Sequence, residues 1–311
     1  MKQTTNTIVM IRPVQFRMNE QTAVNNYYQN DGAISSKNAN NLAKTEFENL
    51  VSVLRDAGIE MIVIDDDPAL DTPDSIFPNN WISFHENGTV GLYPMFAHNR
   101  RKERRSEVLE KVESKGFIIE HVLDYTSAEE DDVFLEGTGS MVLDRAHRKA
   151  YCALSPRANE ELFIEFCEDF EYTPVIFNAY QTVENERLLI YHTNVMMSVA
   201  ETFAIICLEC IDDKKERKNV VKHLKEDGKE IIAITEQQVA NFAGNMLQVI
   251  GSDNQSCLVM SSAAYQSLRK DQIAKIEKHS KIVHSDLTTI ETLGGGSARC
   301  MMAEVFLPKK N

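Results

Sequence analysis

Long hydrophobic runs are absent from this chain of 311 residues. The longest, residues 203–208, is far shorter than the roughly 20 apolar residues that a membrane-spanning helix needs. The sequence therefore predicts no transmembrane helix and no membrane partner. The N-terminal stretch is not typical of a secretory signal either, because its apolar segment is short and no small-residue cleavage site follows. We expect a cytoplasmic protein.

Positive charge is scarce as well. The chain has 33 Lys and Arg residues against 47 Asp and Glu residues, which gives a net charge of −14. A surface this acidic repels phosphate backbones, so nucleic acid is not an expected partner. A small-molecule substrate remains the expected ligand, and the sequence leaves the oligomeric state open, with a homodimer among the options.

Metal-binding patterns are also missing. The eight histidines form no HExxH or HxH motif, and only Cys207 and Cys210 have a metal-like spacing. This pair stands in an apolar run without a second CxxC, which is more typical of packed strand residues. We expect no metal and no organic cofactor, and we expect the six cysteines to be reduced.

What the chain does contain is one pattern repeated at intervals of 54 to 56 residues. An apolar strand, a turn, a second strand, a charged helix and a third strand follow each other, starting near residues 77, 135, 191 and 242. A fifth copy combines residues 298–308 with residues 7–65. The predicted helices span residues 45–56, 102–114, 159–166, 215–225 and 270–278. Length alone suggests about two domains, but the repeat predicts a single α/β domain over residues 1–311. We expect it to be a fivefold propeller of ββαβ modules, closed across the N- and C-termini.

Polar side chains occur at matching positions of these copies. Asn80, Glu136 and His192 follow each other at intervals of 56 residues, and Cys300 comes 108 residues after His192. Equivalent strand ends of a ring face one axis, so we expect these side chains to converge. A simpler alternative is that the shared position marks only the start of a strand.

Cys300 follows the glycine-rich stretch 294–299. Because the chain then continues as an apolar strand without a Lys-Ser/Thr pair, the stretch does not match a phosphate-binding loop. A cysteine placed after such a loop, in register with His192 and Glu136, is better explained as a nucleophile. His192 can relay protons, and Glu136 needs a partner, either the histidine or a cationic substrate.

At these residues the sequence resembles the guanidine-modifying enzymes of the pentein fold, which include arginine deiminase, dimethylarginine dimethylaminohydrolase and amidinotransferases. The resemblance covers nearly the whole chain. It depends on FPNN at residues 77–80, LEG at 135–137, SPR at 155–157, the His192 strand, and GGGSARC ending at Cys300. The most similar branch is that of the citrulline-utilisation hydrolases, which are often described as amidinotransferase-like.

The resemblance implies a hydrolase that acts on a C–N bond of an arginine-like or citrulline-like amino acid. Cys300 would attack the planar carbon, His192 would protonate the leaving amine and activate water, and Glu136 would hold the substrate or the imidazole. Arg157 of the SPR motif would bind the substrate carboxylate, together with Arg101 or Arg100. Phe77 would form an apolar wall or pack in the core.

Two positions depart from the pattern of this family. Asn80 and Asn194 stand where arginine deiminases have aspartates, and Asn80 also replaces the aspartate of the dimethylarginine hydrolases. Because amides both donate and accept hydrogen bonds, they favour a neutral ureido group at least as well as a cation. Asp74 is a candidate to supply the missing charge. The alternatives are an amidinotransferase with an amine acceptor and a non-catalytic binding protein of the same architecture.

Overall fold

The computed structural model describes residues 1–30 and 35–310; residues 31–34 and Asn311, the end of the predicted domain, lie outside the described residues. No helix in the described ranges is long and apolar enough to cross a bilayer. The strands are β1 (Thr7–Arg12), β2 (Glu60–Asp65), β3 (Ile82–Phe84), β4 (Thr89–Leu92), β5 (His121–Asp124), β6 (Met141–Asp144), β7 (Lys149–Ala153), β8 (Thr173–Phe177), β9 (Tyr180–Val183), β10 (Glu186–Leu189), β11 (Met197–Val199), β12 (Phe203–Ile206), β13 (Glu230–Ala233), β14 (Leu247–Ile250), β15 (Ser256–Ser261), β16 (Lys281–Ser285) and β17 (Ala303–Glu304).

The strands form five three-stranded sheets of one topology, giving a mixed α/β fold. In strand order the sheets are β3-β4-β5, β6-β7-β8, β11-β12-β13, β14-β15-β16 and β17-β1-β2. The first pair of each sheet is antiparallel and the second is parallel. Both ends of the chain therefore share one sheet, as the repeat predicts.

The α-helices are α1 (Glu20–Ala23), α2 (Ser36–Asp56), α3 (Ser106–Glu113), α4 (Gly137–Ser140), α5 (Glu160–Asp169), α6 (Thr193–Met196), α7 (Lys214–Glu226), α8 (Glu236–Val239), α9 (Ser262–Ser267), α10 (Lys270–Glu277) and α11 (Thr288–Gly294). Short 3₁₀ turns span Pro78–Asn80, His98–Glu103, Thr126–Asp131, Leu208–Cys210 and Ser252–Asn254. Helices α2, α3, α5, α7 and α10 connect the parallel strands, which requires such crossovers. Side-chain caps define two of their starts, since Asn159 accepts from the backbone of α5 and Asp213 from that of α7.

The structure differs from the prediction in two helices and in the first strands of the modules. Helix α2 begins at Ser36, earlier than predicted, and residues 98–103 form a 3₁₀ turn before α3. The first strands of the modules are also shorter, because Pro78–Asn80, α4 and α6 are helical turns ahead of β3, β6 and β11. These turns are fully buried, so their composition resembles that of a strand.

The hairpin of β9 and β10 is an addition to the third module that the repeat does not predict. Its two-residue turn consists of Glu184 and Asn185, both with positive φ, 48° and 72°. This geometry suits a tight hairpin, but the turn lacks the glycine that usually signals one in a sequence. The hairpin ends at Leu189, two residues before Tyr191 and three before His192.

Candidate active site

One small, nearly filled cavity brings together residues that are far apart in the sequence. It is lined by Thr22, Asn26, Asp74, Phe77, Asn80, Arg100, Arg157, Tyr191, His192, Gly294, Gly296 and Cys300. Most of the predicted site residues therefore lie here. Glu136 contacts His192 from behind the lining, and Asn194 lies beside Cys300.

Glu136 and His192 form a hydrogen bond of 2.8 Å between Oε2 and Nε2. Both side chains are buried, and Cys300 is only 3% exposed. Glu136 directly precedes α4 and His192 directly precedes α6. These two turns pack against each other, so the chain brings the carboxylate and the imidazole together through backbone that is itself buried.

The charges of this pair are set by burial and by Arg157. Burial disfavours the charged form of Glu136, but Arg157, with Nη1 3.5 Å from Oε2, and His192 together hold the pKa of Glu136 at about 2. Burial lowers the pKa of His192 to about 4, although the bond to Glu136 opposes that shift. At neutral pH, Glu136 is therefore a carboxylate and His192 is a neutral imidazole.

This protonation state also fixes the tautomer of His192. A carboxylate only accepts hydrogen bonds, so Nε2 carries the proton and Nδ1 is left as a proton acceptor. A Cβ at Gly139 would lie 2.8 Å from Nδ1 of His192 and 2.2 Å from Nδ2 of Asn80. The second glycine of LEGTG is thus required by the close approach of these two side chains.

The thiol of Cys300 is surrounded by side-chain amides. Nδ2 of Asn194 lies 3.6 Å from Sγ, and Nδ2 of Asn245 lies 3.2 Å from it. Asn194 was predicted to contact substrate, but its amide contacts the thiol and also bonds to the carbonyl of Thr138 at 3.2 Å. Its role toward substrate stays a prediction.

Asn245 is a site residue that the sequence analysis missed. It is buried and stands ahead of β14, at the matching position of the fourth module. The repeat contains the signal, because the interval from His192 to Cys300 is two periods and Asn245 lies within one residue of its midpoint. An amide among apolar residues has no obvious chemistry, which is why this position was overlooked.

Arg100 lines the cavity, but the hydrogen bonds of its guanidinium go to other groups of the protein. Its Nη1 donates to Oδ1 of Asn80 at 2.9 Å, and Nε and Nη2 bond to the carboxylate of Glu103 at 2.9 and 3.0 Å. Nη2 also bonds to the carbonyl of Phe77. With Oδ1 held by Arg100, Nδ2 of Asn80 is buried and has no hydrogen-bond partner among the residues that the structure describes.

Of the two arginines considered for the substrate carboxylate, the structure brings Arg100 to the cavity and not Arg101. Arg101 bonds to the carbonyl of Met95 at 3.1 Å and lies 3.4 Å from the carboxylate of Glu129. Because residues 98–103 form a 3₁₀ turn, neighbouring side chains point in different directions, and of the two arginines only Arg100 is buried.

Arg157 and Asp74 are both engaged by the N-terminal segment 19–25. Nε of Arg157 donates to Oδ1 of Asn25 at 2.9 Å, and Nη2 donates to the carbonyl of Thr22 at 2.8 Å. Oδ2 of Asp74 accepts from Asn19 and Thr22, whereas its buried Oδ1 has no partner within residues 1–30 and 35–310. Burial raises the pKa of Asp74, and Arg100 opposes that shift.

Phe77 lies against the glycine-rich loop that leads to Cys300. A Cβ on Gly294 or Gly296 would lie 2.8 or 2.9 Å from its ring, and Gly295 has a φ of +62°. The glycines therefore allow close packing on the ring and a left-handed turn. Phe77 both lines the cavity and packs in the core, so the two roles considered for it do not exclude each other.

A cluster that resembles a metal site lies elsewhere. Ligand atoms of Asp144, His147 and Asp227 lie within 4.8 Å of one another. However, Lys229 is 3.0 Å from Asp144 and Lys149 is 2.8 Å from Asp227. The lysines already neutralise both carboxylates, so the arrangement is explained as a network of ion pairs.

Solved structures share this fold at low sequence identity. One of them is a cysteine-to-serine variant of the N-terminal domain of ArgZ, an arginine dihydrolase from cyanobacteria, with bound substrate. It matches with a TM-score of 0.71 and 17% identity, over 97% of this chain and 99% of that domain. Unliganded AgrE matches with a TM-score of 0.74 and 18% identity, over 98% of this chain but 40% of AgrE. A dimethylarginine dimethylaminohydrolase adduct with S-methyl-L-thiocitrulline gives 0.64 and 13%, over 96% and 98%.

The family is shown by sequence. Curated proteins give no sequence match, but residues 12–307 match the protein-family model described as N,N dimethylarginine dimethylhydrolase, eukaryotic. This range covers most of the chain and confirms the relationship to guanidine-modifying enzymes that the motifs indicate. The protein belongs to this dimethylarginine dimethylhydrolase family.

Proposed function

We propose that the protein is a hydrolase that cleaves a C–N bond of a guanidino or ureido amino acid through a covalent intermediate on Cys300. The observation that carries this proposal is the hydrogen bond of 2.8 Å between Glu136 and His192 at the cavity lined by Cys300. It provides an oriented proton acceptor in the cavity that Cys300 also lines. Family membership and the arginine dihydrolase among the structural neighbours support the same chemistry.

The reaction has two halves. His192 takes the thiol proton, Sγ bonds to the planar carbon, and the C–N bond to the leaving nitrogen breaks as His192 returns the proton to that nitrogen. Water then adds its oxygen to the same carbon and gives a proton to His192. The C–S bond breaks, and the proton returns to Sγ. Glu136 stays ionised throughout and holds the imidazole.

Two buried polar atoms of the cavity residues, which have no hydrogen-bond partner among the described residues, indicate which chemical group the cavity binds. Asn80 offers a donor through Nδ2, and Asp74 offers an acceptor through Oδ1. A guanidinium group has only donors, whereas a ureido group has an oxygen for Asn80 and N–H groups for Asp74. This pairing favours a ureido substrate, or a guanidino substrate whose oxygen appears during hydrolysis.

The carboxylate of the amino acid is assigned to Arg157. Its Nε and Nη2 bond to Asn25 and Thr22, and a carboxylate would replace these partners with a stronger, charge-assisted pair. This requires segment 19–25 to move when substrate binds. Arg101, outside the cavity lining, remains a candidate for contacts at its entrance.

We also propose that the five sheets close into the propeller predicted from the repeat. The supporting contacts join first strands of different modules: β17 lies against β3, β6 against β11, and β11 against β14. The whole chain would then be one domain. Its six cysteines are free, which suits the cytoplasm.

The test is a screen of the full-length protein for ammonia or amine release from citrulline, arginine, methylated arginines and acylated arginines. We expect one compound to be hydrolysed, Cys300→Ala to abolish turnover, and Cys257→Ala, another buried free cysteine, to leave it unchanged. Mass spectrometry of quenched reactions should find the adduct on Cys300. Product formed only when an amine acceptor is added would favour a transferase. The absence of both turnover and adduct would refute catalysis.

A further inference from the structure

The side chain of Asn245 satisfies its complete hydrogen-bonding capacity around the nucleophile. Oδ1 accepts from the backbone N–H of Arg299 at 3.1 Å and from that of Cys300 at 3.4 Å. Nδ2 donates to the carbonyl of Asn194 at 3.0 Å and to Sγ of Cys300 at 3.2 Å. One amide thus joins the cysteine backbone, the thiol and the turn that carries His192.

These contacts fix the orientation of the amide. Backbone N–H groups only donate and a carbonyl only accepts, so exchanging Oδ1 and Nδ2 would oppose donors to donors and acceptors to acceptors. The group that faces Sγ is therefore the NH₂ of Asn245. Asn194 is less constrained toward the thiol, since both its Nδ2 and its Oδ1 lie near Sγ, at 3.6 and 3.9 Å.

The backbone ahead of Asn245 is shaped for this position. A Cβ at Gly244 would lie 2.3 Å from the carbonyl of Val195. Only glycine lets the chain approach α6 this closely, and the approach places the next residue beside Asn194 and Cys300. The buried location of Asn245, 1% exposed, keeps water from competing for its hydrogen bonds.

No positively charged side chain of the described residues donates a hydrogen bond to the thiol in place of this amide. Among residues 1–30 and 35–310, the side-chain donors that hydrogen-bond to Sγ are the amides of Asn194 and Asn245. His192 is neutral at physiological pH, and its Nε2–H donates a hydrogen bond to Glu136. In many thiol enzymes an imidazolium stabilises the thiolate; in this cavity that interaction is missing before substrate binds.

We propose that Asn245 is a catalytic residue that stabilises the thiolate of Cys300 through the Nδ2 hydrogen bond, while its Oδ1 fixes the backbone that presents the thiol. A donor to sulfur favours the charged form over the neutral one. This inference rests on the proposed function, in which Cys300 is the nucleophile. In this arrangement a neutral amide contributes to stabilising the thiolate, a role that a protonated histidine has in many thiol enzymes.

The test is the pH dependence of alkylation of Cys300 by iodoacetamide, followed by peptide mass spectrometry so that the other cysteines do not interfere. Asn245→Asp keeps the shape but replaces the donor with a negative charge. We expect the alkylation midpoint to rise by about two pH units, and by about one in Asn245→Ala, because charge-assisted hydrogen bonds contribute roughly 1.5–3 kcal/mol. Asn241→Asp, an exposed asparagine nearby, should match the wild type.

An unchanged midpoint in a folded Asn245→Asp or Asn245→Ala protein would overturn the inference. If the aspartate variant does not fold, Asn245→Ser supplies a second case, since a hydroxyl of shorter reach cannot contact both the sulfur and the backbone. Turnover of the substrate should fall by about 100-fold in the alanine variant. A shifted midpoint in a protein that hydrolyses no guanidino or ureido compound would support Asn245 and refute the proposed function instead.

Discussion

The two sides of the cavity hold their reactive groups by different physical means. On the charged side, the carboxylate of Glu136 bonds to the neutral imidazole of His192 and lies beside the guanidinium of Arg157, so the interactions depend on pH. On the amide side, formed by Asn194, Asn245 and Cys300, the contacts to the thiol come from neutral groups. In the proposed reaction, charge would therefore control proton transfer, and geometry would control the presentation of the nucleophile.

The largest effect is expected from removing the charge on the charged side. In Glu136→Gln, turnover should fall by about 1,000-fold, because an uncharged amide can present either an oxygen or an NH₂ group and no longer fixes the tautomer of the imidazole. Stability should fall by about 3 kcal/mol, since Arg157 is left buried without its carboxylate. Steady-state kinetics and chemical denaturation measure the two effects.

A double variant sharpens this prediction. Arg157→Gln added to Glu136→Gln removes the uncompensated charge, so it should restore part of the stability but none of the turnover.

The pKa of Glu136 lies near 2, below its ordinary value of 4.5, so the stabilising contribution of its carboxylate is present above pH 4.5 and lost as pH falls toward 2. Wild type and Glu136→Gln should therefore differ least at pH 2. A constant difference across this range would contradict the assignment.

The next largest effect concerns the glycine beside His192 and Asn80. In Gly139→Ala, the new Cβ would collide with both side chains, and we expect turnover to fall by about 100-fold while stability decreases by about 1–3 kcal/mol. Gly116→Ala is the control. Gly116 has a φ of +86°, and a Cβ added there would meet none of the described residues within 4 Å. Alanine at this position should therefore lower the free energy of unfolding by about 1 kcal/mol without changing turnover. Equal losses of turnover would refute the steric argument.

The repeat made much of this arrangement predictable. Its period placed Glu136 and His192 at equivalent positions, and the structure joins them by a hydrogen bond. The hydrophobic pattern also identified the crossover helices and the sheet shared by both ends of the chain. These features depend on burial and periodicity, which a sequence displays directly.

Other features depend on the direction of single side chains, which a sequence does not display. The pattern could not separate Arg100 from Arg101, because a 3₁₀ turn of uncertain phase decides which one is buried. It could not show that segment 19–25 occupies Arg157, since that contact joins residues more than 130 positions apart. Asn245 was missed because an amide is recognised as functional only through its partners.

Substrate preference tests whether amides also determine what is bound. In Asn80→Asp, Arg100 still holds one oxygen, and the other presents an acceptor where Nδ2 presented a donor. The ratio of kcat/KM for guanidino over ureido compounds should rise by about 10-fold to 100-fold, corresponding to roughly 1.4–2.8 kcal/mol. Parallel assays on arginine and citrulline measure it. An unchanged ratio would mean that Asn80 does not face the reacting group.

The smallest effect concerns Glu291, a buried carboxyl group that contacts the loop leading to Cys300. Oε1 of Glu291 accepts from Oγ of Ser297, at 2.6 Å, in the loop that carries Cys300. Burial raises the pKa of Glu291 to about 7, and Glu46 adds to the shift. The folded protein therefore favours the protonated form, whose contribution is complete below pH 4.5 and is lost as pH rises through 7.

Glu291→Gln keeps the acceptor for Ser297 but cannot ionise. The variant should match the wild type near pH 4.5 and be more stable by about 2 kcal/mol at pH 8, as measured by urea denaturation across this range. Glu277→Gln, at the exposed end of α10, should follow the wild type throughout. If the wild type and Glu291→Gln instead lose stability in parallel, then folding does not shift the pKa of Glu291, and the loop that carries Cys300 accepts an ionised carboxylate without loss of stability.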